Sequence, residues 1–385
     1  MSGIYIHIPF CKRRCHYCDF YSSTNESVKQ NYTDAICHEM QLRQSDLYHT
    51  PDTIYFGGGT PSQLSHDEVR SIFNALNQYF DLSKCKEITF EMNPDDINTG
   101  YLTILKEVGV NRISMGIQSF NNDLLKRINR RHDAEQAINA VRLAQSMGFD
   151  NISIDLMYGL PGQDIADWNR SLDIALSLNV KHISSYHLIY EEGTVLHKLL
   201  KESKVHEAQE ELSLLFFQTL IDRLAEAGYE QYEISNFAKD EAYSMHNSSY
   251  WKDIPYLGLG ASAHSFDFSE RSWNPSSMKI YMEDIFKNKI ATEKEVLNLQ
   301  DKYNDYVITT LRTKWGANIE TIAEKFGSEL AAHFKKEADI FLKKGLLKHG
   351  QGLGVSENQD SDYITLSREG IFVSDAIFED LMYLD

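Results

Sequence analysis

From residue 3 to roughly 235, short runs of apolar and β-branched residues alternate with longer segments of helical period. Between the runs, apolar residues recur at helical spacing, as at Val69, Ile72, Phe73 and Leu76, and would cover one face of a sheet. This alternation predicts an α/β fold of six βα units with a parallel sheet. The six predicted strands are Ile4 to Ile8, Thr53 to Phe56, Glu87 to Glu91, Arg112 to Ile117, Asn151 to Leu156 and His182 to Tyr186.

Six βα units can form either a barrel or a doubly wound sheet. Glycine-rich and polar loops follow the strands directly, and barrels gather their sites at the carboxyl ends of the strands. The pattern therefore favours a partial parallel (β/α)6 barrel.

The pattern changes beyond the barrel region. Residues 207–227 predict one long amphipathic helix, and residues 229–273 are aromatic-rich and irregular, with glycines as breaks. A boundary near residue 275 divides the chain into a barrel domain, 1–275, and a smaller domain, 276–385.

Residues 276–385 predict a small helical, winged-helix-like domain. Its helical segments are about 299–313, 318–326 and 329–344, with short strands at 346–348 and 363–366 and a last helix from Ser367. Residues 351–385 carry eight acidic groups and one basic group, Arg368, so we expect a structural or partner-binding role rather than DNA binding.

The net charge and the cysteine content limit the classes of partner and the cellular compartments that fit this chain. A net charge of −18 over 385 residues disfavours nucleic acid and anionic lipid as partners. Five cysteines, an odd number without a regular framework, fit a reducing compartment. The apolar run Ile4 to Phe10 is too short to span a bilayer, and no charged segment with a cleavage site precedes it. We expect a cytoplasmic protein that is not integral to a membrane.

Three cysteines, Cys11, Cys15 and Cys18, follow the first predicted strand as C-x3-C-x2-C. Three thiolates from one loop can ligate three corners of a 4Fe–4S cluster and leave one iron open for chemistry. Zinc would need a fourth ligand, and neither Cys37 nor Cys85 has a paired spacing that supplies one. The spacing favours the cluster over zinc or three ordinary thiols.

The sequence Gly57–Pro61, GGGTP, follows the second strand. Its glycines allow a backbone to approach a ligand with no side chain in the way. It lacks the lysine of a P-loop and the spacing of a dinucleotide fingerprint, so phosphate is not the expected ligand. Beside the cysteine loop, it is suited to a small zwitterion.

These residues together resemble the radical S-adenosylmethionine superfamily, and within it the oxygen-independent coproporphyrinogen III oxidase-like family. The resemblance is clear over residues 3–275 and looser beyond. Besides the cysteines and GGGTP, the segments that carry it are Tyr5–Cys11, Glu91–Pro94, Gly116–Ser119 and Asp155–Gln163.

The resemblance implies that S-adenosylmethionine binds the open iron and that one electron from the cluster can cleave its sulfonium bond. Glu91 could accept from its ammonium, Arg130 could hold its carboxylate and Asp155 could bond a ribose hydroxyl. Any one of these polar groups, taken alone, could equally be a cap or turn residue. The residues that match the family's cofactor contacts are Tyr5, Tyr17, Gly58, Gly59, Thr60, Glu91, Gln118, Arg130 and Asp155.

Two departures favour the haem chaperone (HemW-type) branch of this family. The oxidases carry C-x3-C-x2-C-x-C after a longer N-terminal extension, whereas this chain has Phe20 at the last position and its first cysteine after ten residues. Radical decarboxylation of coproporphyrinogen III is the alternative function. Radical modification of another substrate is a third.

The segment His246–Trp251, an HNxxYW motif, supports the same branch. An imidazole can ligate haem iron, and tyrosine and tryptophan offer flat apolar area to a porphyrin. A histidine near two aromatic residues is also a common core group. The resemblance implies haem as cargo with His246 as its candidate ligand, and apo-haemoproteins as recipients, membrane-associated respiratory ones among them. On this interpretation, the cluster and cofactor gate dimerisation or release. Apart from the resemblance, His187 and His264 could be secondary contacts of haem or of another substrate.

Overall fold

The computed structural model describes residues 2–47, 49–350 and 362–384. Six parallel strands lie side by side in chain order, which confirms the predicted partial parallel barrel. They are β1 (Gly3–Ile8), β2 (Thr53–Gly58), β3 (Glu87–Met92), β4 (Arg112–Gln118), β5 (Asn151–Tyr158) and β6 (His182–His187).

Helices after each strand cover the outer face of the sheet. The residues Val69, Ile72, Phe73 and Leu76 are buried there, as their spacing predicts. Capping boxes at Ser65, Asp133 and Asp164 start three of these helices by satisfying their first backbone N–H groups. The helices are α1 (Lys29–Leu42), α2 (His66–Tyr79), α3 (Thr99–Glu107), α4 (Asn122–Arg127), α5 (Ala134–Ser146), α6 (Ile165–Ser177), α7 (Val195–Lys201) and α8 (Glu210–Glu226).

The segment 229–273 is more regular than its sequence indicates. Its strand β9 pairs in parallel with β1, and further antiparallel strands extend both edges to twelve strands within the described residues. Strands of three or four residues are too short to show a period of two, which is why the sequence pattern missed them. The elements are β7 (Glu230–Glu233), β8 (Asn236–Ala238), α9 (Met245–Trp251), β9 (Tyr256–Leu259), β10 (His264–Phe266), β11 (Glu270–Trp273), α10 (Met278–Ile285) and β12 (Glu293–Val296).

The C-terminal region is helical with a three-stranded sheet, ordered β13-β15-β14. Residues 351–361, part of the acidic stretch, lie outside the described residues. The last predicted helix is divided in two, α14 and α15. The elements are α11 (Leu299–Leu311), β13 (Ala317–Asn318), α12 (Ile319–Phe326), α13 (Ser328–Lys343), β14 (Leu347–His349), β15 (Tyr363–Leu366), α14 (Arg368–Ile371) and α15 (Ser374–Leu381).

Three hydrophobic clusters lie within the described residues. The largest lies between the barrel strands and their helices, a second lies among α11, α13, α15 and the small sheet, and a third joins α4, the end of β5 and α7. The ion pair of Arg312 with the buried Glu233, at 2.8 Å, links β7 to the end of α11. Among the described helices, none is both long and apolar enough to cross a bilayer.

Candidate functional site

The loop after β1 presents the three predicted cysteines as free thiols, Cys11 buried and the other two half-buried. Two backbone hydrogen bonds join the start of this loop to Ser23. The Cys11 N–H donates to the carbonyl of Ser23 at 2.9 Å, and the Ser23 N–H donates to the carbonyl of Pro9 at 2.7 Å. These bonds hold the loop at the carboxyl end of the barrel.

A cavity of about 430 Å³ opens at this end, within the range of small-molecule sites. The structure brings most of the predicted site residues into its lining. Tyr5 and His246 are the two that do not line it. The lining includes Cys11, Cys15, Tyr17, Cys18, Gly58, Gly59, Thr60, Glu91, Gln118, Arg130 and Asp155.

The glycine loop packs directly against the cysteine loop. A Cβ on Gly59 would lie 2.7 Å from the carbonyl carbon of Pro9, and Gly58 has a φ of +108°, in the left-handed region. Thr60 Oγ1 lies 3.4 Å from Cys11 Sγ. Only glycine at these two positions lets the β2 loop approach the cysteines so closely.

Two carboxyl groups, those of Glu91 and Asp155, face the interior of the barrel. The hydroxyl of Tyr55 donates to Glu91 Oε1 at 2.6 Å. Burial raises the pKa of Glu91 to about 7, and Asp155 adds to the rise. Burial also raises the pKa of Asp155 to about 6, although a hydrogen bond from Ser184 acts to lower this pKa. Both carboxyl groups are suited to accept hydrogen bonds from a cationic or hydroxylated ligand.

Arg130 connects the cysteine loop to the strand ends. Its Nη1 donates to Cys15 Sγ at 3.4 Å, and its Nη2 donates to Asn93 Oδ1 at 2.9 Å and to the Gly116 carbonyl. Its buried Nε has no hydrogen-bond partner within the described residues. A buried donor without a partner fits an anionic ligand group in this cavity.

The donor set fits a 4Fe–4S cluster with S-adenosylmethionine. Three thiols from one loop line the cavity, and a cubane binds each thiolate through a separate iron. The same lining offers a carboxyl group for an ammonium and a guanidinium for a carboxylate.

His246 lies at the opposite, amino-terminal end of the barrel and is fully buried. Its Nδ1 is hydrogen-bonded to Thr53 Oγ1 at 2.8 Å and its Nε2 to the hydroxyl of Tyr250 at 2.9 Å. Its ring stacks on Tyr55 with the centroids 5.1 Å apart. Haem ligation by His246 stays a prediction, and it would require one of these hydrogen bonds to break.

The other predicted aromatic and histidine contacts are spread along the barrel. The Tyr5 hydroxyl is hydrogen-bonded to His7 Nδ1 at 3.1 Å, below the cavity. His187 lines the cavity, whereas His264 stacks on Trp273 at 5.6 Å, outside it.

Several residues of the cavity were not predicted from the sequence as site residues, and neither was Tyr55, which donates a hydrogen bond to Glu91. Each of these residues lies on a barrel strand or directly after one. A position near the end of a predicted strand is therefore the sequence feature that could have identified them. The missed lining residues include Asn93, Ser114, Met157 and Tyr186.

Two family models and a solved structure match this chain. The Radical SAM superfamily model matches residues 5–175, and the HemN C-terminal domain model matches residues 297–373. A solved structure of coproporphyrinogen III oxidase HemN from Escherichia coli covers 99% of this chain and 90% of its own, with a TM-score of 0.83 and 23% identity. At that identity the likeness shows a shared fold.

Two curated relatives are more similar in sequence. Heme chaperone HemW of Bacillus subtilis is 35% identical over 360 residues, covering 91% of this chain and 94% of the relative. Heme chaperone HemW of Lactococcus lactis is 31% identical, covering 100% and 98%. This chain therefore belongs to the HemW haem chaperone family of the radical S-adenosylmethionine superfamily.

Proposed function

We propose that this chain binds haem and transfers it to apo-haemoproteins, and that it carries a 4Fe–4S cluster and an S-adenosylmethionine site. The observation that carries the proposal is the similarity to two proteins named haem chaperone over nearly their whole length. The radical S-adenosylmethionine superfamily implies the cluster and the cofactor.

The residues of the cavity have separate roles in this proposal. Cys11, Cys15 and Cys18 hold the cluster, and Gly58, Gly59 and Thr60 support the cofactor through exposed backbone. Glu91 accepts from its ammonium, Arg130 orients its carboxylate and Asp155 accepts from its ribose. When bound, the cluster and cofactor supply one-electron reductive chemistry at the sulfonium.

Phe20 supports the chaperone over the oxidase. Its side chain is 64% exposed and lines the cysteine cavity, where the oxidase motif has a fourth cysteine. An exposed phenylalanine offers apolar contact area but no ligand atom.

The wider setting belongs to the same proposal. Residues 1–275 carry the cofactor site and the haem motif, and residues 276–385 have a structural or partner-binding role. The recipients include membrane-associated respiratory haemoproteins, and the chain acts from the cytoplasm. The cluster and cofactor gate either the formation of a homodimer or the release of haem.

The test is haem transfer by the full chain, reconstituted anaerobically with iron and sulfide. The protein is loaded with haem and mixed with the apo form of a membrane cytochrome, whose absorbance reports haem uptake. A Cys18→Ala variant, loaded with the same amount of haem, separates the role of the cluster from that of haem binding. We expect transfer from the parent protein to be faster than uptake of free haem and faster than transfer from the variant. Equal rates with loaded protein and free haem would contradict the proposal.

A further inference from the structure

A second cavity, of about 740 Å³, lies at the edge of the sheet, away from the cysteines. It is bounded by the residues after α1 and by strands β9 to β12. Its volume exceeds that of the cysteine cavity and lies within the range of small-molecule sites. The function proposed above gives it no role.

Aromatic rings form one wall of this cavity. The rings of Tyr256 and Phe266 have centroids 6.4 Å apart, and those of Phe266 and Phe268 are 5.9 Å apart. Phe268 is 52% exposed, and Leu47 and Ile290 extend the apolar lining. The rings are not coplanar, since the planes of Tyr256 and Phe266 differ by 38° and those of Phe266 and Phe268 by 63°. Together they offer apolar contact area to a largely apolar ligand.

His49 also lines this cavity, and its side chain is exposed. Within residues 2–47, 49–350 and 362–384, its ring has no hydrogen-bond partner, whereas both ring nitrogens of His246 are hydrogen-bonded. An imidazole nitrogen that is accessible and unbonded can ligate haem iron without breaking any contact. His49 is therefore better placed as an axial ligand than His246.

The HNxxYW motif lies behind the aromatic wall. The ring of His246 contacts that of Tyr250 at 5.2 Å, and Tyr250 contacts Tyr256 at 4.7 Å. Tyr256 is the first residue of β9 and lines the cavity. The motif thus positions the wall from within the core, although its histidine does not reach the cavity.

The rim of the cavity carries charges of both signs. Arg43 is buried and bound by Glu39 and Asp46, so it is not free for a ligand. Lys294 is more than half exposed and pairs with Glu270 at 2.5 Å. An exposed pair of this kind exchanges partners at little cost, so Lys294 can turn to a propionate that projects into solvent.

We propose that haem binds in this cavity, in contact with Tyr256, Phe266 and Phe268 and with its iron ligated by His49. On this proposal His246 is a positioning residue that supports the wall through Tyr250. The proposal rests on the function proposed above, because it takes haem as the cargo.

The test is titration of the reconstituted full chain with haem, followed by the Soret band. The variants are His49→Ala, Phe268→Asp and, as a matched control, His66→Ala, which removes another exposed histidine outside this cavity. We expect the first two to weaken binding about tenfold or more. The control should bind like the parent. Added imidazole should restore the parent spectrum to His49→Ala, because it replaces only the lost ligand.

The result that overturns this proposal is distinct from failure of the proposed function. If the parent binds no haem, the chaperone function itself is wrong. If the parent binds haem but His49→Ala keeps its affinity and spectrum, only the placement is wrong. A His246→Ala variant, folded as judged by circular dichroism, should keep the parent spectrum. Loss of the ligand spectrum in that variant alone would assign the iron to His246 and overturn the proposal.

Discussion

The hydrogen bond from Tyr55 to Glu91 predicts how cofactor binding depends on pH. A bond of 2.6 Å to a carboxylate favours the charged form of Glu91. Hydrogen bonds to charged groups contribute about 1.5–3 kcal/mol, which corresponds to about one to two pKa units. The variant Tyr55→Phe should therefore raise the pKa of Glu91 from about 7 to about 8–9.

The assay is anaerobic equilibrium dialysis of S-adenosylmethionine with reconstituted protein between about pH 6 and 8, because the ammonium of the ligand itself loses its proton near pH 8. An ionised Glu91 is needed to pair with this ammonium, so affinity should rise through pH 7 in the parent and stay low over the same range in Tyr55→Phe. Tyr79→Phe, a half-buried tyrosine on α2, is the matched control. Identical midpoints for the parent and Tyr55→Phe would refute the proposed role of Glu91.

Two further predictions concern the same cavity. Gly59→Ala places a Cβ 2.7 Å from the Pro9 backbone, so the affinity for S-adenosylmethionine should fall about tenfold or more. Gly100→Ala is the control, because its Cβ would lie 3.4 Å from the nearest atom and should not change the affinity. If dialysis gives equal affinities for the two variants, the close approach at Gly59 does not matter for binding. Glu91→Gln removes a carboxyl whose pKa is higher in the folded chain, about 7, than its ordinary value near 4.5. Since the native state then binds the proton more tightly, stability of the parent falls as pH rises between these values. The variant should gain up to about 3 kcal/mol relative to the parent above pH 7 and nothing below pH 4.5. Parallel curves of unfolding free energy against pH would show that Glu91 is not desolvated.

The parallel strands could be predicted because short runs containing β-branched and apolar residues alternate with longer segments of helical period. The predicted Thr53 to Phe56 became Thr53–Gly58, and Asn151 to Leu156 became Asn151–Tyr158. The extra residues lie at the carboxyl ends. In β2 they are two glycines, Gly57 and Gly58, and in β5 they are Met157 and Tyr158, which follow the polar Asp155 of the cavity. Sequence periodicity therefore located the strands but not the positions at which their side chains turn to the site.

The candidate site was predictable where spacing along the chain carries the chemistry. Cys11, Cys15 and Cys18 lie on one loop, so their convergence follows from sequence. The surroundings of His246 follow from sequence only in part, because Tyr250 lies four residues later on α9, whereas Thr53 comes from β2. Tertiary contacts alone show that its ring is enclosed.

One measurement tests the central claim most directly. The chain is reconstituted anaerobically, and the same sample is titrated with haem and assayed with coproporphyrinogen III, S-adenosylmethionine and a reductant. The chaperone account predicts stoichiometric haem binding and no decarboxylation. Decarboxylation that requires S-adenosylmethionine and reductant would contradict it and make the chain an oxidase. Cleavage of S-adenosylmethionine without haem binding would contradict it in favour of another radical reaction.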